Sequence, residues 1–166
     1  YIRHDVKIHP FIFGGAQERN MRGGTENVYG IIGLAKAFEL AHQHMEEHQH
    51  HISNLKSSMA TQIKAALPGV RFNGDCLGKS LYTVLNVALP ETEQAEMLLF
   101  NLDIAGIACS GGSACSSGSN AGSHVLRAIY GSEKRPSVRF SFSKFNTAEE
   151  IDFAVERLRE LYTVNA

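Results

Sequence analysis

The sequence predicts a mixed α+β fold, and two patterns carry this prediction. Apolar or small residues recur at steps of three, four or seven from Ile31 to Ile63, which is the period of a helix. After Pro68-Gly69, short runs rich in β-branched and aromatic residues, typical of strands, alternate with shorter helical runs. Because helices and strands interleave along the second half of the chain, neither an all-α nor an all-β class fits.

The first half of the chain is predicted to be mostly helical. Residues 1–13 form a short strand and an extended segment that Pro10 interrupts, and residues 14–25 form a polar loop rich in glycine. The helical pattern that follows covers about 40 residues, which exceeds an ordinary globular helix. We therefore expect a helix that spans two domains, with room for a kink.

The second half contains shorter elements. Ser123 is a plausible helix N-cap, and Thr147-Ala-Glu-Glu150 has the form of a capping box that opens the last helix. The apolar face of that last helix is predicted to contain Ile151, Val155 and Leu158. Strands are predicted at 70–72, 81–89, 104–109 and 137–142, and helices at 92–103, 123–130 and 148–162.

Composition and charge limit the class of protein. The 166 residues suffice for one domain, or for a small domain with part of another. A net charge of −1 provides no electrostatic basis for binding nucleic acid or an anionic membrane, and no apolar run approaches the roughly 18 residues of a membrane span. Three cysteines without zinc-type spacing, and no signal-peptide pattern, favour a reducing compartment, so we expect a cytoplasmic protein. The chain opens with Tyr1, and we expect it to be a piece of a longer protein.

Cys115 lies in the segment Ser110-Gly-Gly-Ser-Ala-Cys-Ser-Ser-Gly-Ser-Asn-Ala-Gly122, which consists almost entirely of small polar residues and glycine. By composition alone, a cysteine is more often a small buried hydrophobic residue. This segment offers no apolar partner, and a loop of this kind suits an accessible, reactive thiol. In contrast, Cys109 ends an apolar run and fits a buried residue, and Cys76 in a polar turn is interpreted as incidental.

Two further positions are candidate binding residues. Thr25 follows a glycine-rich loop at the start of a helix, where backbone N–H groups and a hydroxyl favour an anion such as phosphate. A plain surface turn is an equal interpretation of that loop. Arg139 should lie on the strand face opposite Val138 and Phe140, where it could bind a carboxylate in bidentate fashion. Without further context, a solvated arginine is the simpler interpretation.

Two patterns are set aside. Gly74-Asp-Cys-Leu-Gly-Lys-Ser80 is similar to a phosphate-binding P-loop, but it has one residue too few between the glycines and lies between two strands. Histidines crowd the long helix between residues 42 and 51, and His44, His48 and His51 share one face. A metal site there is conceivable, but a solvated face is the simpler interpretation, and we predict no metal.

Three motifs together resemble the NifS/IscS-type cysteine desulfurases. They are Gly14-Gly-Ala-Gln-Glu-Arg with Met21-Arg-Gly-Gly-Thr-Glu-Asn27, then Ser110-Gly-Gly-Ser-Ala-Cys-Ser, then Pro136-Ser-Val-Arg-Phe-Ser-Phe-Ser-Lys-Phe-Asn-Thr with Glu149-Glu-Ile-Asp. They occur in the family's order at similar spacing and span nearly the whole chain. The resemblance implies a pyridoxal phosphate (PLP) enzyme of fold type I that converts L-cysteine to alanine and passes the sulfur on, including to iron–sulfur scaffold proteins.

The resemblance also implies how the chain is divided. Residues 1–25 would end the large PLP-binding domain, 26–67 would be a long interdomain helix, and 68–166 would be the small C-terminal domain with a short sheet packed with helices. The lysine that forms the Schiff base with PLP would lie upstream. We therefore expect the chain to be the C-terminal part of such an enzyme and to be inactive alone.

By the resemblance, Cys115 matches the sulfur-accepting nucleophile and Arg139 the residue that holds the substrate carboxylate. Thr25 matches the threonine that reaches the PLP phosphate of the partner subunit, which implies a homodimer. Ala16 and Gly23 depart from the family, which usually has glycine at the first position and Ser or Ala at the second.

Two alternatives stay open. One is a selenocysteine lyase or another PLP-dependent lyase, although the long cysteine loop favours a desulfurase. The other is a non-catalytic module that only dimerises or docks sulfur acceptors.

Overall fold

The computed structural model describes residues 2–91, 97–111, 123–131 and 135–163. Its elements confirm the predicted mixed α+β class. The chain divides into two compact units, Tyr1–Met45 and Glu46–Ala166. In chain order the elements are α1 (Gln17–Asn20), α2 (Val28–Gln43), α3 (Met45–Ala66), β1 (Arg71–Phe72), β2 (Val84–Ala88), α4 (Leu98–Ile104), α5 (His124–Tyr130), β3 (Ser137–Ser141) and α6 (Ala148–Thr163).

The first unit begins with an irregular segment. Over the described residues 2–13 the backbone forms no strand, so the short strand predicted there is wrong. Pro10 removes one donor from this stretch, and within this unit no neighbouring strand pairs with it. The turn α1 has three consecutive residues with positive φ, namely Glu18 at 48°, Arg19 at 56° and Asn20 at 65°.

The long helical pattern forms two helices rather than one. Helix α2 ends at Gln43, and α3 begins at Met45. Between them the N–H of His44 still donates to the carbonyl of Leu40 at 3.1 Å, but its own φ and ψ of −106° and 13° leave the helical region. The kink allowed by the sequence is therefore a break at His44.

Helix α2 is predominantly apolar and exposed throughout, and Lys36, Glu39 and Gln43 form a small polar cluster on its surface. None of its residues is buried, and its large side chains, from Val28 and Tyr29 to Phe38 and Leu40, all lie open. The helix is capped locally, because the side-chain oxygen of Asn27 accepts from the N–H of Gly30 at 3.0 Å.

The second unit contains an antiparallel sheet in the order β1-β2-β3. In β2 and β3, Leu85 is paired with Phe140, and Val87 with Val138, so these four buried side chains share one face. Their register places Asn86 opposite Arg139 on the other face.

The core covers only the apolar face of this sheet. Helices α3, α4 and α6 bring their apolar stripes to it, and the apolar face predicted for α6 is confirmed as buried. The stripe of α3 follows steps of three and four residues, as a helix requires. The helical members of this cluster are Ile52, Leu55, Met59, Ala60, Ile63, Leu98, Leu102, Ile151, Ala154, Val155 and Leu158.

Both predicted helix starts in the second unit are confirmed. The Ser123 hydroxyl accepts from the N–H of Leu126 at 3.3 Å. In the capping box, the Thr147 hydroxyl accepts from the N–H of Glu150 at 3.3 Å, and the Glu150 carboxylate accepts from the N–H of Thr147 at 3.2 Å.

The strand predicted at 104–109 is wrong. Helix α4 continues to Ile104 and is closed by Gly106, whose φ of +83° suits glycine and whose N–H donates to the carbonyl of Asp103. Only Ser110 reaches the sheet, through a single bridge to Arg139. Within this described run only Ile107 is buried, so its apolar character does not indicate a strand.

The turn between β1 and β2 does not form a phosphate cradle. The carboxylate of Asp75 accepts from the backbone N–H of Lys79 at 3.0 Å. A carboxylate of the turn itself therefore takes up a backbone N–H that a phosphate cradle would direct at its ligand. Cys76 in this turn is buried in the core, which corrects its interpretation as an incidental residue. Lys56, a buried lysine of α3, holds this turn against the helix. Its ammonium group donates to the Ser80 hydroxyl and to the Leu81 carbonyl, both at 3.0 Å.

None of the helices in the described ranges combines the length and the apolar character needed to cross a bilayer.

Candidate functional site

Arg139 lies on the polar face of β3, as the alternation of the strand predicts. Its neighbours Val138 and Phe140 are buried on the opposite face. Around Arg139 the polar face carries a small hydrogen-bond network, in which the Asn73 amide donates to the side-chain oxygen of Asn86 at 2.7 Å and to the Ser137 hydroxyl at 3.2 Å. The network fixes polar side chains beside the arginine, so its strand is well supported.

The backbone of Arg139 is joined to Ser110. The N–H of Arg139 donates to the carbonyl of Ser110 at 2.6 Å, and the N–H of Ser110 donates back to the carbonyl of Arg139 at 3.2 Å. Ser110 and Gly111 are the last described residues before the segment that contains Cys115, and Cys115 itself lies outside the described residues. The predicted nucleophile therefore has no described position, but the beginning of its loop is fixed against the candidate substrate-binding arginine.

Gly111, the residue after Ser110, also lies close to both α4 and β3. A Cβ added at Gly111 would lie 2.6 Å from the Leu99 side chain and 3.3 Å from the carbonyl oxygen of Ser137. A residue with a side chain would have to displace Leu99 or move away from the strand. The glycine therefore lets the chain pass closely between α4 and β3.

A cavity of about 300 Å³ opens beside Arg139. Among the described residues that line it, Arg139 is basic and Asp103 acidic, and most of the others are apolar. The apolar part comes from α4 and from the segment that follows it. The cavity is lined by Leu99, Asp103, Ile107, Ala108, Cys109, Ser110, Arg139 and Ser141.

Cys109 is a free thiol in the wall of this cavity. Its burial, and then the nearby negative charge of Asp103, raise the pKa of the Cys109 thiol to about 11. At neutral pH this thiol is therefore protonated and a poor nucleophile. Burial also raises the pKa of the Cys76 thiol, against the opposing effect of the Lys56 ammonium group.

The second candidate binding residue, Thr25, lies in the first unit and is exposed. Its loop is held together by Arg22, whose guanidinium donates to the carbonyl of Gly24 at 2.7 Å, to the carbonyl of Thr25 at 3.2 Å and to the Glu26 carboxylate at 2.8 Å. Gly24 has a φ of +100°, which glycine adopts readily. Among the described residues, none forms a hydrogen bond with the Thr25 hydroxyl, which leaves this group open to a ligand.

The loop also closes on itself at Gly23. The N–H of Gly23 donates to the carbonyl of Ile12 at 2.8 Å, and an added Cβ would lie 2.6 Å from the backbone nitrogen of Gly14. A serine or alanine at position 23 would not fit this conformation. The close contact between the backbones of Gly23 and Gly14 therefore accounts for glycine at a position where the family usually has Ser or Ala.

No group of three or more potential metal ligands is present in the part of the chain that the structure describes. In the histidine-rich helix, His51 instead contacts the turn before α6, with its Nε2 at 3.0 Å from the carbonyl oxygen of Asn146.

The aminotransferase class-V family matches residues 1–153. The chain belongs to this family. IscS 1 of Bacillus subtilis is 42% identical over 164 residues, which are 97% of this chain and 43% of the relative. The cysteine desulfurase IscS of Clostridium botulinum is 41% identical over 164 residues, 97% of this chain and 41% of that protein.

A solved structure shows the same fold. The crystal structure of a NifS-like protein from Rickettsia africae matches with a TM-score of 0.76 at 29% identity, covering 95% of this chain and 41% of that one. The resemblance inferred from the three sequence motifs is therefore confirmed. The chain spans about two fifths of the length of the relatives it matches.

Among the site residues of this class-V aminotransferase domain, sequence reasoning missed Asp103. The sequence predicted a helix ending at Asp103, close to the observed end at Ile104, but not that this end lines the cavity. The available signal was the combination of an acidic residue with Gly106 just before the cysteine loop, since such a glycine commonly closes a helix.

Proposed function

We propose that this chain is the C-terminal part of a PLP-dependent cysteine desulfurase, which converts L-cysteine to L-alanine and transfers the sulfur through a persulfide on Cys115. The observation that carries the proposal is the join between Arg139 and Ser110, because it sets a carboxylate-binding side chain beside the beginning of the Cys115 loop. The named relatives of the family are cysteine desulfurases, which supports the same reaction.

Arg139 is proposed to bind the α-carboxylate of the substrate. Its guanidinium lines a cavity large enough for a small amino acid and can donate two parallel hydrogen bonds to a carboxylate. Held at that end, the substrate would direct its side chain along the cavity wall toward the cysteine loop. Arg139 therefore orients the substrate rather than reacting with it.

Cys115 is proposed to accept the sulfur. Its thiolate forms an S–S bond with the substrate sulfur while the bond between that sulfur and the substrate Cβ breaks. The electron pair of the broken bond stays with the three-carbon product, which takes up a proton at Cβ and leaves as alanine. A free cysteine has a pKa of about 8.5, so only a minor fraction is thiolate at neutral pH, and the site must assist ionisation. Burial raises the pKa of the Cys109 thiol to about 11, which disfavours it for this role.

PLP is the cofactor that the class-V aminotransferase family implies, and it would supply an electron sink that weakens the substrate C–S bond. Thr25 is the residue of this chain that fits it, because its exposed hydroxyl has no partner among the described residues and can donate to a phosphate oxygen. We propose that this phosphate belongs to the partner subunit of a homodimer. The Schiff-base lysine is not assigned to this chain.

The proposed partners are a second copy of the protein and a sulfur acceptor such as an iron–sulfur scaffold, in the cytoplasm. The large exposed apolar side chains of α2 support a further packing partner, since an exposed apolar patch of this kind commonly marks an interaction surface. Two free thiols, Cys76 and Cys109, are consistent with a reducing compartment.

The decisive experiment uses the full-length protein. Cys115→Ser should abolish sulfide release from L-cysteine and leave PLP binding intact, because the hydroxyl cannot form the persulfide. Cys76→Ala is the matched control, since Cys76 is buried in the core. Normal turnover by Cys115→Ser would remove the proposed nucleophile, and equal loss in both variants would indicate a folding defect.

A further inference from the structure

Asn73 and Gly74 are the only Asn-Gly pair in the sequence, and they lie in the turn that follows β1. Asparagine is thermolabile because the backbone nitrogen of the next residue can attack its side-chain carbonyl carbon. A glycine in that next position leaves the nitrogen uncovered, since it has no side chain. Gly74 is exposed, has a φ of +68° and leaves open space where a Cβ would lie. The pair is therefore accessible to this reaction.

The attacking nitrogen is engaged by helix α5. The N–H of Gly74 donates to the hydroxyl oxygen of Tyr130, the last residue of α5, at 2.9 Å. An amide nitrogen attacks only after it loses its proton, and this proton is the one that the hydrogen bond holds. The contact between the turn and the end of α5 therefore opposes the reaction at its nucleophile.

The other reacting group, the side-chain amide of Asn73, is held by the sheet. Its Nδ2 donates to Asn86 Oδ1 at 2.7 Å and to the Ser137 hydroxyl at 3.2 Å. The backbone N–H of Asn73 also donates to the carbonyl of Asn86 at 2.9 Å. To reach the Gly74 nitrogen, the amide has to turn away from both of its acceptors. The fold thus restrains both atoms of the bond that would form.

We propose that Asn73 is a deamidation site whose reaction is controlled by the contact between Tyr130 and Gly74. When that contact opens, the Gly74 nitrogen forms a bond with Cγ of Asn73, the bond from Cγ to Nδ2 breaks, and ammonia leaves with the proton from Gly74. Solvent water then opens the resulting cyclic imide and gives aspartate or isoaspartate at position 73. The overall change is the hydrolysis of one amide, without oxidation or reduction.

The product changes the polar face of the sheet on which Arg139 lies. An ionised carboxylate accepts hydrogen bonds and cannot donate them, so Asn86 and Ser137 lose the donor that Asn73 supplies. The carboxylate also adds a negative charge to this hydrogen-bond network. Deamidation therefore weakens the part of the sheet that supports Arg139.

The test follows the Asn73 peptide of the full-length protein by peptide mapping and mass spectrometry during incubation at mildly alkaline pH. Native wild-type protein should deamidate at Asn73 roughly tenfold or more slowly than the same protein unfolded in urea, since several hydrogen bonds restrain the native pair. Tyr130→Phe should raise the native rate roughly two- to tenfold, which corresponds to the loss of one hydrogen bond. Ser137→Ala should raise it less, because Asn86 still accepts from the Asn73 amide.

Matched variants make the result specific. Tyr162→Phe removes a tyrosine hydroxyl that donates elsewhere, to the Pro90 carbonyl at 3.4 Å, and it should keep the wild-type rate. Asn73→Asp reproduces one product and should lower the melting temperature of the full-length protein. Asn54→Asp adds the same charge at an exposed position of α3 and should lower the melting temperature less.

Equal rates in native and unfolded wild-type protein overturn the proposal, because the fold would then not restrain the pair. A wild-type rate in Tyr130→Phe also overturns it, as does an equal rise in Tyr162→Phe, which would mean a general loosening of the fold. Should Tyr130→Phe fail to fold, judged by circular dichroism, a wild-type rate in Ser137→Ala overturns the proposal instead. A melting temperature of Asn73→Asp equal to that of Asn54→Asp overturns the effect on the sheet.

Discussion

At the scale of single residues, Arg139 is the position where a substitution should change substrate recognition most. In the full-length protein, Arg139→Ala should raise KM for L-cysteine by roughly tenfold or more, since one hydrogen bond to a charged group is worth about 1.5–3 kcal/mol. Arg139→Lys should recover only part of the loss, because lysine cannot form the two parallel bonds.

Steady-state kinetics on these variants check this expectation, with Arg135→Ala as the control. Arg135 is half-buried, donates to the carbonyl of Gly69 at 3.2 Å and is not among the described residues that line the cavity. A wild-type KM in Arg139→Ala would contradict the binding role and support a solvated strand arginine.

The sequence alone was sufficient to predict the orientation of Arg139 but not its surroundings. Alternation along β3 depends only on neighbouring residues, so Val138 and Phe140 were placed correctly on the face opposite Arg139. Gly106 signals where α4 ends, but the position of Asp103 in the cavity wall also depends on how that end packs near β3, which is a tertiary contact without a local signal. Thr25 and Cys115 stay predictions from the resemblance.

At the scale of elements, Lys56 joins helix α3 to the turn before β2. Lys56→Ala should lower the free energy of unfolding by about 1–3 kcal/mol, because it removes two partly buried hydrogen bonds from a charged donor to Ser80 and Leu81. Chemical denaturation followed by circular dichroism measures this loss. Lys64→Ala, at an exposed position of the same helix, should leave stability nearly unchanged.

The glycine-rich loop before α2 provides a separate prediction. In the full-length protein, Thr25→Ala should weaken PLP retention, because it removes one hydrogen bond to a charged phosphate, worth roughly 1.5–3 kcal/mol. Dialysis followed by absorbance of the bound cofactor measures retention. Unchanged retention would mean that residues 14–25 serve only as a turn.

Element boundaries show what sequence patterns can and cannot predict. The helix starts at Ser123 and Thr147 were correct because capping depends on side chains a few residues apart. The strand predicted at 81–89 begins only at Val84, since residues 81–83 belong to the turn that Lys56 holds. Hydrophobic character at 104–109 was mistaken for a strand because a short apolar run does not by itself distinguish a strand from a helix end and the segment that follows it.

At the scale of the whole chain, stability should decrease at alkaline pH. Burial, followed by the charge of Asp103, raises the pKa of Cys109 from 9.0 to about 11, and burial raises the pKa of Tyr162 from 10.0 to about 12. In the unfolded chain these groups would lose their protons first, so each stabilising contribution is complete below the ordinary pKa and is lost as pH rises through the folded value.

Thermal unfolding of the 166-residue chain between pH 8 and pH 12 measures this effect, and the melting temperature should fall progressively above about pH 9. Tyr162→Phe should make the melting temperature fall less steeply above the ordinary tyrosine pKa of 10.0, because it removes one of the ionising groups. A melting temperature that is flat over this range would contradict the burial of these groups.

The two backbone hydrogen bonds between Ser110 and Arg139 make the amide proton of Arg139 a probe of the start of the cysteine loop. In β3 the pairing alternates, and the N–H of Arg139 points away from β2 and donates to Ser110 alone. Exchange of this amide with deuterium therefore requires Ser110 to separate from the strand, while the amides of Val138 and Phe140 require the sheet itself to open. The ratio of these exchange rates, measured by NMR, shows how readily Ser110 at the start of the cysteine loop separates from β3 compared with opening of the sheet.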